Sequence, residues 1–593
     1  MSARSLLSEA VQLLSHSQED LLECGPAVGH LVSRLAAATV AAVSVQPGST
    51  TDSPLATESP SPQRRIGSNA LHLSETLRDL ADEKLNSYPY HAVPACWRRL
   101  YTDASLYGAI VRLANSSSRK ETEREEEEAD RLEAAIGRLD LAIVISGTPG
   151  PMRHDLALSL IESAQERLAE ISLVALPDDG EQPRPTKRPR KRPPTVEPDS
   201  SAAIAPDRAP YIHLPLTELP ALPSFLDPKH NRAHRSPFIV REGASSFPAF
   251  SPSLTSPSDR RWSDLDYLRR MAGRGRIVPV EVGGDYTQAG WGQRMMEFGA
   301  FLDSLQDVER AASRCSGAAA KDGPSEPVPP PLYYLAQHSL FRQFPALLSD
   351  LLIPDLVYSP PTHHYSCSSN DVSESPTSHP ASASTAGSSP PSAPPPQGDP
   401  YVSPTTEDGY ILNAWLGPRG TKSAAHTDPW WNCYVQMAGS KWVWVTPPEC
   451  GDHMAAFGGS PENVAADDVA AVEPTPADIV DAVAPSVGPV PATSLPSSTA
   501  DPSENTQAET PSSDSDRAGH ASSADYMTNT SSFDVTRLDP TSASAALPRA
   551  YRDHVAPRAR QAVLREGDVL VMPPGWWHAM VGLETSFSVS MWF

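Results

Sequence analysis

The sequence predicts an α+β chain, helical towards its N-terminal end and rich in short β-strands towards its C-terminal end, with long disordered insertions. Three observations carry that prediction. Through residues 1–175, apolar side chains recur at helical spacing. From 225 to 593, short apolar or alternating runs are bounded by Gly and Pro turns, which is the chemistry of strands. Within that second part, 359–400 and 449–525 hold too few large apolar residues to offset the entropy of ordering them.

In the helical part, Leu6, Leu7, Val11, Leu13 and Leu14 keep helical spacing, as do Leu71, Leu77, Leu80 and Leu85. Glu121 to Ile145 reads as a charged helix that turns apolar, and His154 to Leu173 as another. Such a domain packs or docks partners without chemistry of its own. The Ala-rich run from Leu35 to Val45 is shorter than the ~20 residues of a membrane span, so no membrane segment is expected. The chain opens at Met1 directly into an amphipathic pattern, without a signal peptide.

A linker, 176–224, carries the run Arg184-Pro185-Thr186-Lys187-Arg188-Pro189-Arg190-Lys191-Arg192. Proline keeps these cations extended and solvated, and the run reads as a nuclear import signal. Direct nucleic-acid binding is disfavoured, because the formal net charge of −24 repels phosphate. The six cysteines lack metal-type spacing and read as free thiols of a reducing compartment.

The β part is read as 225–593. Between Ile411 and Val445, three strands are expected, separated by Gly417-Pro418-Arg419-Gly420 and Gly439-Ser440. The chain returns between Val563 and Phe593, punctuated by Arg565-Glu566-Gly567-Asp568 and Pro573-Pro574-Gly575. The insertion 359–400 is Ser/Pro-rich, and 449–525 holds fourteen Asp/Glu against one Arg. His363-His364 falls in the first of these and is not counted as a metal site.

His426-Thr427-Asp428 is the pair of candidate metal ligands that decides the reading. In a strand, residues i and i+2 face the same way, so one imidazole and one carboxylate point together. A second imidazole from a neighbouring strand, His578, completes a 2-His-1-carboxylate facial triad. That donor set suits non-haem Fe(II) and leaves positions open for co-substrate and O₂. His338 and Asp568 read as structural residues. Trp430, Trp431, Trp576 and Trp577 are core aromatics or, beside the ligands, substrate-lining ones.

The order of blocks resembles the jumonji-C (JmjC) family of Fe(II)/2-oxoglutarate oxygenases, above all the small-JmjC branch that includes lysine demethylase 8. The blocks are Ile277 to Gly283, Tyr286-Thr287, Tyr334 to His338, Asn413-Ala414-Trp415, the His426 motif and Ser586 to Ser590. The resemblance implies a double-stranded β-helix of the cupin, or jelly-roll, type over 225–593. It implies His426, Asp428 and His578 as iron ligands, and Lys441 as the cation that holds the distal carboxylate of 2-oxoglutarate. It implies Ser423 and Tyr286 as hydroxyls sharing that carboxylate, Asn432 near the C1 end, and Trp415 as an aromatic wall. Asn529 to Val535 resembles a segment at the active-site mouth, so order is expected to resume near Tyr526.

The activity implied is oxidation of a protein side chain by Fe(II), 2-oxoglutarate and O₂, with ascorbate as reductant. Hydroxylation of an Arg or Lys residue in a nuclear protein is the first expectation. Demethylation of N-methyl-lysine in a histone tail is the second. A non-catalytic cupin scaffold is the alternative from another class.

Overall fold

The computed structural model describes residues 3–16, 19–44, 62–89, 92–114, 121–174, 212–215, 236–250, 262–283, 291–317, 330–358, 401–457, 529–536 and 548–593. The basic run, the 359–400 insertion, Tyr286 and Thr287 lie outside the described residues.

Six helices build the N-terminal part: α1 (Ala3–His16), α2 (Pro26–Ser44), α3 (Pro62–Leu85), α4 (Ala95–Ala114), α5 (Glu121–Leu141) and α6 (Arg153–Val174). Helix α4 is central. It is buried almost without interruption from Arg99 to Val111 and touches the five others. A charge inside such a helix must be paired, and Asp103 accepts hydrogen bonds from Arg99 at 3.1 Å and Arg153 at 3.3 Å. Helix α2 is longer than the Leu35–Val45 run suggested, and by length and composition alone it could cross a membrane. Its stripe of Val28, Val32, Leu35, Ala36, Thr39 and Val43 is buried, and the helix packs on α1, α3 and α4. That is how a core helix of a bundle reads.

The strands are β1 (Ile212–His213), β2 (Phe238–Val240), β3 (Ile277–Val282), β4 (Gly292–Glu297), β5 (Tyr333–His338), β6 (Ile411–Gly417), β7 (Lys422–Thr427), β8 (Asn432–Ala438), β9 (Lys441–Thr446), β10 (Arg560–Leu564), β11 (Val569–Met572), β12 (Trp577–Gly582) and β13 (Ser586–Trp592). They form two sheets, in the orders β1-β10-β9-β12-β7 and β2-β11-β8-β13-β6-β5-β3-β4. All pairings are antiparallel except β1 with β10. Two such sheets, face to face, make a jelly roll. Its interior cluster joins Tyr434 of β8, Val443 and Val445 of β9, Leu570 and Met572 of β11 and Met580 of β12. The outer face of the larger sheet supplies Cys433, Val435 and Met437, which pack under Trp262 and the helices α7 (Leu265–Ala272) and α8 (Phe298–Gly317).

Two boundaries differ from the sequence reading. Ile411 to Thr446 holds four strands, not three, because Asp428 to Trp431 makes a further turn. Pro429 cannot donate to a ladder, and its place in that turn follows. The acidic insertion was expected from 449, but the chain is tied down as far as Phe457. A short helical turn, Pro448–His453, leads to Ala456, which bridges Ser531, while the Phe457 amide donates to the Thr530 carbonyl at 2.9 Å.

The helical part meets the β part at a buried ion pair. Asp140 of α5 receives Nε and Nη2 of Arg276, both at 2.8 Å. The same carboxylate accepts the Ile277 amide and Gln343 Nε2, each at 2.8 Å. The helix must come close for this, and Gly137 permits it: a Cβ there would lie 2.7 Å from Ile277 Cδ1.

Candidate active site

His426 stands near the end of β7, directly opposite His578 of β12, and Asp428 follows in the turn after β7. The two rings lie 4.2 Å apart, centroid to centroid. Asp428 Oδ1 is 3.8 Å from His426 Nε2, and its Oδ2 is 3.6 Å from His578 Nε2. These gaps exceed hydrogen bonds. They leave three lone-pair donors, all within 4.8 Å of one another, around one point.

Each imidazole is held from behind. His426 Nδ1 is 2.8 Å from the Ala424 carbonyl and His578 Nδ1 is 3.0 Å from that of Trp576. A carbonyl only accepts, so Nδ1 carries the proton and Nε2 keeps its lone pair. This is the orientation that metal-binding histidines need. Burial, and then the neighbouring His426, push the His578 pKa down to about 4, so the ring is neutral at pH 7. The close approaches to Asp428 are therefore contacts of donor atoms rather than ion pairs.

A cleft of about 290 Å³, its open mouth included, adjoins the triad. It is lined by Trp415, Ser423, His426, Asp428, Asn432, Tyr434, His578 and Met580. Ser423 and His426 are three apart and would face opposite ways on a regular strand. The ladder explains their meeting: His578 pairs with His426, but Met580 pairs with Ser423, so β7 carries one extra residue at a bulge. A bulge re-aims a side chain. Trp415 lies opposite Ser588 on the facing strand and donates through Nε1 to Ser590 at 3.1 Å. Asn432 is 4% exposed, and its Oδ1 is buried without a hydrogen-bond partner. Such an amide is poised for a ligand.

Lys441 opens β9 and is only 1% exposed, yet it does not line the cleft. It sits behind Tyr434, to whose hydroxyl Nζ donates at 2.9 Å, and reaches Tyr334 Oη at 3.4 Å. Among the described residues no carboxylate pairs with it. Burial alone lowers its pKa to about 7. Tyr334 also shares a side-chain hydrogen bond with Ser423.

The hydroxyls around Lys441 therefore come from Tyr334 and Tyr434, which the sequence reading left out of the pocket; Tyr286 lies outside the described residues. A signal for Tyr434 was available, since it follows Asn432 by two residues on one strand and so shares its face. Tyr334 gave no local signal, because its place depends on β5 pairing with β6. His338 and Asp568 are structural. His338 bonds Gln343 at 2.5 Å, and Asp568 accepts from the Glu242 and Arg565 amides and from Arg241. Trp576 and Trp577 are buried, and neither lines the cleft.

The fit to the implied ligands follows from the donor set. Two neutral imidazoles and a carboxylate suit a divalent iron. A buried ammonium without a counter-ion, faced by hydroxyls, suits an anion at the other end. Residues 227–593 match the family described as the cupin-like domain. The chain belongs to this family, in its JmjC oxygenase branch. It is 24% identical to lysine-specific demethylase JMJ30 of Arabidopsis thaliana over 88% of this chain and 85% of that protein. It is 26% identical to lysine-specific demethylase 8 of Danio rerio over 63% of this chain and 69% of that one. It is 25% identical to Jumonji C domain-containing protein 5 of Drosophila melanogaster over 57% of this chain and 51% of that one. A JmjC protein of this kind is a 2-oxoglutarate-dependent oxygenase, so its resident groups are Fe(II) and 2-oxoglutarate.

Proposed function

We propose that this JmjC protein hydroxylates an Arg or Lys side chain of a nuclear protein, with His426, Asp428 and His578 holding the iron. The observation that carries the reading is the meeting, in one cleft, of a neutral His/Asp/His set and a shell of hydroxyls around an uncompensated ammonium. Iron, once bound with 2-oxoglutarate and O₂, supplies oxidation of a C–H bond. The chain's own residues do the rest. The Ala424 and Trp576 carbonyls orient the imidazoles, and Asp428 contributes negative charge. Asn432 and Trp415 shape the wall, Ser423, Tyr334 and Tyr434 bind the distal carboxylate, and Lys441 neutralises it. The β7 bulge sets both ends of the cleft on one strand.

Two features support a basic protein substrate. The acidic insertion leaves the fold at Phe457 and rejoins it at Asn529, whose carbonyl accepts from the Thr427 amide at 3.0 Å, beside His426. Residues 458–528 hold twelve Asp/Glu and one Arg, a field that concentrates cationic partners. The basic run Arg184 to Arg192 supports import into the nucleus. Hydroxylation is preferred because the lining is mostly hydroxyl, amide and thioether around Trp415, whereas methylammonium recognition favours several aromatic faces. Demethylation of a histone lysine is the second reading, favoured by the names of the relatives JMJ30 and lysine-specific demethylase 8.

The test is mass spectrometry of histone tails and Arg-containing peptides incubated with the protein, Fe(II), ascorbate and 2-oxoglutarate. A gain of about 16 Da marks an added oxygen, and a loss of about 14 Da marks a removed methyl carbon. His426→Ala and Asp428→Ala should each abolish succinate formation; turnover retained by either removes that residue from the iron site.

A further inference from the structure

We propose that Tyr434 is a positioning residue that carries the charge of Lys441 to the co-substrate and sets the length of dicarboxylate the cleft accepts. The inference deepens the oxygenase reading and rests on it.

Tyr434 belongs to the sheet facing Lys441, and the two meet across the barrel interior. Its neighbours on the same face are fixed by register: Ser590 of β13 on one side and Leu570 of β11 on the other. The ring cannot swing away without opening the interior cluster it shares with Val443, Val445, Leu570 and Met580. Its hydroxyl is where two environments join. On one side it accepts from Lys441 Nζ at 2.9 Å. On the other, Tyr434 borders the cleft that Lys441 itself does not reach.

An ammonium has three donors and no acceptor. Lys441 therefore forces Tyr434 Oη to act as acceptor, which leaves the phenol proton to donate elsewhere. Burial raises the pKa of this phenol, so it keeps that proton at neutral pH. A carboxylate in the cleft can take the phenol proton as a hydrogen bond, strengthened by the cation behind it. Because the ring stands between Lys441 and the cleft, its bulk also limits the chain length of the acid. Tyr334 Oη, at 3.4 Å from Nζ, makes the weaker contact and takes the lesser part.

The experiment measures uncoupled turnover of 2-oxoglutarate and of its one-carbon-longer homologue, 2-oxoadipate, by the full chain with Fe(II). Tyr434→Phe loses only the hydroxyl and should raise the KM for 2-oxoglutarate about 10- to 100-fold, the range for a hydrogen bond to a charged group. Its kcat at saturation should change far less than KM. Tyr434→Leu shortens the side chain and should shift preference towards 2-oxoadipate by about tenfold or more, roughly one methylene of binding contrast. A merely structural tyrosine would change both acids alike. Wild-type KM in a folded Tyr434→Phe, or an unchanged preference in a folded Tyr434→Leu, overturns the proposal. Should only one variant fold, that variant decides. Should the unmodified protein neither turn over nor bind 2-oxoglutarate, the oxygenase reading itself falls, and the two failures are told apart.

Discussion

Two cations are buried in the β part of this protein, and they are treated in opposite ways. Arg276, at the seam with the helical part, is satisfied on every side: a bidentate carboxylate from Asp140, the Gln343 carbonyl at 2.7 Å and the Phe344 ring 4.5 Å away. Lys441, beside the cleft, meets only two phenol hydroxyls and two aromatic rings. Burial costs both cations their water. At the seam the counter-charge is built into the chain, so the pair is complete and structural. At the cleft it is missing, and the cost is tolerated because a ligand supplies the anion. A buried charge whose partner is not in the chain is a better marker of a binding site than a perturbed residue as such.

The contrast is broken most severely by removing the partner at the seam. Asp140→Ala leaves Arg276 charged and buried, and strands the Ile277 amide as well. The expected loss is ~3–5 kcal/mol of stability, read by denaturant or thermal unfolding of the full chain. A loss within about 0.5 kcal/mol, the range of an ordinary surface substitution, would mean that the seam opens readily and that the ion pair holds nothing.

Lys441→Met is the matching change at the cleft, and its effect should divide differently. Removing a charge that has no partner should leave stability unchanged or raise it. The affinity for 2-oxoglutarate should fall by about 1.5–3 kcal/mol, the worth of a hydrogen bond to a charged group. Calorimetry of co-substrate binding and a melting curve read the two halves. Destabilisation as large as that of Asp140→Ala, with co-substrate affinity kept, would make Lys441 a structural cation and erase the distinction.

The two cations also differ in how far the sequence announces them. Lys441 is legible, because it opens an apolar strand a fixed distance after His426, and the ligands His426 and Asp428 are legible because period-two geometry needs only three consecutive residues. Arg276 and Asp140 are 136 positions apart, and nothing local in either segment names the other. The same limit hid Tyr334, whose place depends on β5 meeting β6, and the bulge that turns Ser423 inwards, which only the β7–β12 ladder reveals. The jelly roll itself followed from motif order rather than from strand counting, which missed the turn between Asp428 and Trp431. Pairing across long sequence distances is set by burial and register, and one-dimensional patterns carry little of it.

The smallest effect expected is in pH, and it separates the cations without a mutation. In the folded protein without ligand, burial holds Lys441 at about 7, below the ordinary 10.5. Between those values the unfolded chain carries one more proton than the folded one. Stability from this group therefore rises with pH across roughly 7 to 10.5, by at most about 1.4 kcal/mol per unit. Below pH 7 both states are charged and the full penalty of burial remains. Co-substrate binding has the opposite sign. A dianion needs the ammonium, so its affinity should be level below about pH 7 and fall above it, up to tenfold per unit. Titrations of 2-oxoglutarate at a series of pH values, with unfolding curves alongside, should show the two trends crossing in the wild type and vanishing together in Lys441→Met. An affinity that stays level from pH 6 to 9 in the wild type would show that Lys441 keeps its proton without help from the ligand, and that some group in the chain supplies its counter-charge as Asp140 does for Arg276.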